Sequence, residues 1–336
     1  MPRNIVREQL NHLWDAIVLK NEIPISRDNE IAANDLIPHN IICISWDFET
    51  LDQEENNLRQ TPPILFCPLP AQVLADNPID LSRYDSQQEQ ERALHYSDFK
   101  PPANEENLRS GSFSPISCGV RVSGYVKSWA CGFPRPTFGV ERVINGPSYM
   151  RKVSLPNPLL LGPGWTWFYP RYHDRWSARH LMEFPREAGH GVYPHVTACL
   201  VQDFNARDNI LLYSELAAVI AAMRNRANQP KVDPNDEDAQ EALFIESEEN
   251  IHVLRREFPM EKRFPVLILS FVGPQHARFL YACMDRRQLV IRQSQLYSFV
   301  TKSDAALDLF ARVWLSRPLS EQQVPRARSP SRFTPI

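Results

Sequence analysis

The sequence predicts an α+β protein whose C-terminal core is a helix, a three-stranded antiparallel meander and a second helix, joined to a Pro-rich, irregular N-terminal portion. Three observations carry this. Leu216, Val219, Ile220 and Met223 recur at i, i+3, i+4 and i+7, one face of a helix. Three apolar runs separated by turn sequences follow one another between Pro265 and Phe299. The chain also holds 29 Pro against 11 Gly, and frequent Pro breaks helices and confines strands to edges or short lengths.

Taken in order, Val6, Leu10, Leu13, Trp14, Ile17 and Val18 predict an amphipathic helix over 5–20, closed by Pro24. The β-branched run NIICISWDF (40–48) predicts a strand. Pro62, Pro63, Pro68 and Pro70 impose an extended path, and the polar stretch 82–110 reads as a surface excursion. Val120, Val122 and Val126 between polar neighbours suggest a half-buried strand over 116–129, with Gly119 and Gly124 as bulges. A short helix is expected over 172–184, before Pro185. The helix through Leu216 starts near Asn205 or Asn209, either a good cap, and stops at Pro230. Residues 233–250 hold eight acidic side chains and no basic one, and a further helix is expected to run to Glu257. The meander then comprises Pro265–Gly273, apolar on both faces, 277–285 and 288–299. Ser303 is the expected cap of a last helix carrying Leu307, Phe310, Ala311 and Trp314 on one face. The organisation read from this is a Pro-rich portion over 1–200, the core over 201–318 and a disordered basic tail over 319–336.

Composition narrows the function. A chain of 336 residues, 43% hydrophobic and 23% charged, can bury a sizeable core. Its net charge of −3 offers no basic field for a phosphate backbone, so nucleic-acid binding is not supported by charge. Charged residues interrupt the apolar ones at the N-terminus, which does not read as a signal peptide, and no run suits a membrane span. Cys43, Cys67, Cys118, Cys131, Cys199 and Cys283 lack paired spacing and read as reduced thiols. A cytoplasmic or nuclear location follows as the expectation.

Few residue sets are suited to chemistry. His173, His180, His190, His195 and Cys199 are the metal-ligand candidates, since imidazole and thiolate bind transition metals, although their spacing matches no familiar site. His195 and Cys199 are four apart, but Pro194, Val196 and Thr197 favour a strand over the helix that would unite them. The motifs of P-loop and dinucleotide-binding enzymes are missing, and Gly162-Pro163-Gly164 reads as a turn. No cofactor is expected. The order helix, three strands, helix is that of the PD-(D/E)xK nuclease core, which needs carboxylates around a divalent ion. Glu215 and Asp285 are the candidate catalytic acids, but Arg292 and Gln293 stand where a carboxylate or lysine is wanted. Arg171, Arg175, Arg179 and Arg186 among Trp165, Trp167, Tyr172 and Trp176 can stack bases or hold internal carboxylates, the second being favoured.

The segment PVLILSFVGPQHARFLYACMDRRQLVIRQSQLYSF (265–299), with the helix after it, resembles the C-terminal part of a family of uncharacterised proteins from filamentous fungi. The resemblance covers about a quarter of the chain. It implies a fungal source and a shared fold, and an association with specialised-metabolite pathways, and brings no catalytic residue set. The leading expectation is a non-catalytic interaction or accessory protein with a protein partner. Alternatives are a divergent or inactive PD-(D/E)xK nuclease-like protein, or a metal-dependent enzyme using the 173–199 His/Cys region.

Overall fold

The computed structural model describes residues 4–101, 113–135, 151–152, 176–184, 193–233, 236, 238–239, 242 and 254–319. It is an α+β fold centred on an eight-stranded mixed sheet. The strands are β1 (Ile41–Ser45), β2 (Arg151–Lys152), β3 (Trp176–Glu183), β4 (Val196–Asn205), β5 (Val266–Gly273), β6 (His276–Asp285), β7 (Gln288–Gln293) and β8 (Tyr297–Ser298). Their spatial order is β1-β7-β6-β5-β4-β3-β2, with β8 pairing on β6. The meander β5-β6-β7 is antiparallel throughout, as its turn-separated apolar runs indicate. It does not stand alone: β4 lies parallel to β5, and β1 lies parallel to β7 at the sheet's end. The division expected after residue 200 therefore falls inside β4.

Four helices cover the two faces: α1 (Ile5–Leu13), α2 (Pro115–Lys127), α3 (Tyr213–Asn228) and α4 (Leu307–Trp314). On one face α1 packs on α3, and α3 on β4 and β5, around Leu10, Ile17, Leu216, Ile220, Ile268 and Leu280. On the other, α2 lies on β4 and β5 while α4 contributes Phe310 to a cluster with Phe271, Phe279 and Phe299. Every residue of β5 is buried, as befits a central strand sandwiched between helices.

Several expected elements differ. Residues 116–129 form most of α2 and its π-helical continuation, not a strand. Cys118, Gly119, Val122, Ser123 and Val126 are its buried positions, a helical period in which the valines supply only part of the stripe. Ser114 caps it, its hydroxyl accepting the Ser117 N–H at 3.3 Å, and Pro115 occupies the first turn where no N–H is needed. Gly119 lets the helix sit close to the sheet, since an added Cβ would lie 3.4 Å from the Phe271 carbonyl oxygen. Residues 176–183 form a strand where a helix was expected, and a register shift between Ala178 and His180 breaks the alternation that would have marked it. The first expected helix is α1 followed by a π-helical turn over Trp14–Leu19. The helix through Leu216 begins at Tyr213, later than either Asn205 or Asn209. Its first N–H groups are met from a distant loop: Tyr213 donates to the Asn29 carbonyl at 2.7 Å and Ser214 to Asn29 Oδ1 at 3.0 Å. The last helix starts at Leu307 after Ala306, and Ser303 does not cap it. Leu254–Glu257 are not helical, Arg256 instead bridging to Pro230. Among the described residues no helix is long and apolar enough to cross a membrane. Residues 320–336 of the expected tail lie outside the described residues.

Candidate functional site

Glu215 lies in the first turn of α3, a helix enclosed between the sheet and α1, and is fully buried. A carboxylate so placed must be paired. Arg278, on the helix-facing side of β6, supplies the partner: Nε donates to Oε1 at 2.9 Å and Nη2 to Oε2 at 2.5 Å. Both side chains are 0% exposed. The fork is further held by Nη1 donating to the Arg207 carbonyl at 3.1 Å, while Glu215 Oε2 accepts the Leu212 N–H at 3.0 Å. Gln293 of β7 stands nearby on the same face, donating to the Ile210 carbonyl at 3.3 Å and accepting from the Cys43 thiol at 3.3 Å. Burial pushes the Cys43 thiol up to about 12, so it stays protonated at neutral pH.

The second candidate acid is elsewhere. Asp285 ends β6, seven residues beyond Arg278, which at roughly 3.3 Å per residue is about 23 Å away. It accepts from Arg263 Nη1 at 3.0 Å and is partly exposed. Glu215 and Asp285 therefore do not converge on one metal ion, and this corrects their expected pairing.

The histidine set divides similarly. His173 and His190 lie outside the described residues. His180 on β3 is directly opposite Cys199 on β4, and its ring packs edge-on to Trp314 at 5.6 Å. His195 precedes β4, so it stands roughly 13 Å from Cys199 along an extended chain. Its Nε2 hydrogen-bonds the Leu65 carbonyl at 2.8 Å, and its ring meets Phe66, Phe184 and Tyr193. Burial pushes its imidazole down to about 3, keeping it neutral. Because a carbonyl only accepts, Nε2 carries the proton. Among the described residues no three His, Cys, Asp or Glu side chains gather where they could hold a metal ion. Burial raises all six thiols, which disfavours the thiolate a cysteine nucleophile requires. Of the expected arginine–aromatic set, Trp176 is buried in the core and Arg179 is exposed, while the other members lie outside the described residues.

Three arginines are among the largest fully buried side chains: Arg226, Arg278 and Arg292. Arg226 Nη1 donates to Glu183 at 2.6 Å and to Gln229 at 2.7 Å, and its Nη2 to the Tyr193 carbonyl at 2.7 Å. Arg292 of β7 points to the opposite sheet face from Gln293. Its Nη2 donates to the Pro62 carbonyl at 2.9 Å, and its Cζ sits 5.4 Å from the Trp46 ring centre and 5.9 Å from that of Tyr281. No carboxylate among the described residues meets it.

No family model, curated protein or solved structure matches the chain. The arrangement around Glu215 is a closed ion pair, suited to fixing α3 on the sheet. The residues that sequence reasoning underweighted are arginines within apolar strands and helices. Arg278 in ARFLYACMD and Arg292 in VIRQS were visible as charges at positions that otherwise bury.

Proposed function

We propose that the protein acts by binding and not by making or breaking bonds, as an interaction or accessory protein. The observation that carries this reading is the Glu215–Arg278 pair. A carboxylate that must neutralise a buried guanidinium has no charge to spare for a divalent ion, and displacing Arg278 would strand a cation in the core. The raised thiols and the neutral, carbonyl-bound His195 support the same reading. The reading extends to a protein partner in the cytoplasm or nucleus and to a specialised-metabolite setting, the latter resting solely on the resemblance of residues 265–299 to fungal proteins.

A second reading is favoured by one observation: the order α3, β5, β6, β7, α4 is that of the PD-(D/E)xK core. On this reading the protein is a nuclease-like scaffold that has lost its chemistry. Both readings meet the same test. The full chain is incubated with Mg²⁺ or Mn²⁺ and single- or double-stranded DNA or RNA, beside Glu215→Gln and Asp285→Asn variants whose folding is verified by circular dichroism. The expected result is no metal-dependent hydrolysis above the variants. Hydrolysis abolished by either substitution would overturn the binding reading.

A further inference from the structure

We propose that Arg292 and Trp46 form a binding site for a small oxyanion, a carboxylate or a phosphate, near the open end of the sheet. The buried arginines differ in how they are neutralised. Arg226 is neutralised by Glu183 and Arg278 by Glu215, each through a direct ion pair. Arg292, 1% exposed, has none. Its one hydrogen bond goes to a neutral carbonyl, that of Pro62, and its Nε and Nη1 have no partner. The neighbouring Tyr281 cannot compensate: its hydroxyl donates to the Pro63 carbonyl at 2.7 Å and accepts the Leu65 N–H at 3.2 Å.

The indole that stacks on the guanidinium repeats the pattern. Trp46 Nε1 is buried and has no partner. Two side chains thus bring only donors, and one brings a full positive charge, to a single region. The complement is a group that only accepts, carries negative charge and offers more than one oxygen. Stacking on Trp46 and Tyr281 holds the guanidinium plane in place, as a rigid recognition site needs.

Position also favours a ligand over a core role. β7 is one strand in from β1, the last strand of the sheet among the described residues. Ile42 and Ile44 of β1 flank this end and are 40% and 38% exposed, with Ile44 directly beside Arg292 in the register. Trp46 continues that strand, its N–H donating to the Gln293 carbonyl at 2.8 Å, and is itself only partly buried. The site therefore lies one strand in from the sheet's margin.

The test measures the melting temperature and binding heat of the full chain with inorganic phosphate and with acetate, against chloride at equal ionic strength. Saturable stabilisation by at least one oxyanion is expected. Phosphate alone would identify a phosphorylated ligand, and acetate alone a carboxylate. Trp46→Phe, which keeps the ring and loses the N–H, should weaken that affinity by about tenfold, the effect of one hydrogen bond to a charged group. Arg292→Met should abolish it and, in chloride, melt no lower than the parent, because it removes a stranded charge. The proposal is overturned by three results. These are no stabilisation beyond chloride, equal stabilisation of Arg292→Met, or a lower melting temperature or loss of folding for Arg292→Met in chloride, which would make Arg292 a clamp on the Pro62 loop.

Discussion

Single side chains decide what this fold can do, and the buried charges are the clearest case. Removing one partner of a buried ion pair costs about 3–5 kcal/mol, because the other charge is left without compensation. Arg278→Met should therefore destabilise by that amount in urea unfolding. Adding Glu215→Gln to that background, which removes the stranded charge yet keeps an acceptor for the Leu212 N–H, should recover about 1–2 kcal/mol. His195 gives a pH signature. It is held neutral in the folded chain and pushed down to about 3 by burial, whereas in the unfolded chain it titrates near its ordinary value of 6.5. Below that value the unfolded state takes up a proton that the folded state refuses, so stability falls as pH falls through the window from about 6.5 to about 3. The slope is about 1.4 kcal/mol per pH unit at most. Comparing urea midpoints at pH 7 and pH 5.5, the parent should lose more than His195→Gln. Glu215 was legible as a candidate because it is a carboxylate on an apolar helix. Its role was not legible, because Arg278 lies 63 positions onward in sequence and only the packing of α3 on the sheet brings the two together.

Among the elements, α2 shows how local pattern and packing trade places. Valines with glycines between them resemble a strand, and the distinction rests on Ser114 and Pro115, which start a helix, and on Gly119, which lets it lie against β5. The glycines also separate by role. A Cβ at Gly273, where β5 ends beneath Pro115, would stand 2.6 Å from the Pro115 Cβ, so Gly273→Ala should cost about 1–3 kcal/mol in thermal or urea unfolding. A Cβ at Gly124 meets nothing within 4 Å, and Gly124→Ala should stabilise α2 by about 0.5–1 kcal/mol. The meander was readable because β5, β6 and β7 are predominantly apolar runs bounded by turns. β3 was not, because its bulge at Arg179 interrupts the two-residue period on which a strand is recognised.

For the molecule as a whole, the sheet joins chain segments that composition separates. β1 comes from the Pro-rich region and pairs with β7, while β4 brings the centre of the chain beside β5. The packing of α3 on the sheet then encloses Glu215 and Arg278, with Cys43 and Gln293 beside them, in one polar patch, while Arg292 stands apart on the opposite face. In that enclosure the charges are used to hold elements together, which is why the acids do not assemble into a reactive centre: Glu215 is buried at one end of β6 and Asp285 is paired with Arg263 at the other. The most direct measurement of this account is a calorimetric titration of the full chain with Mn²⁺ at neutral pH, repeated on Glu215→Gln. The account expects no saturable heat that depends on Glu215. Stoichiometric Mn²⁺ binding that disappears in the variant while its fold persists would contradict it.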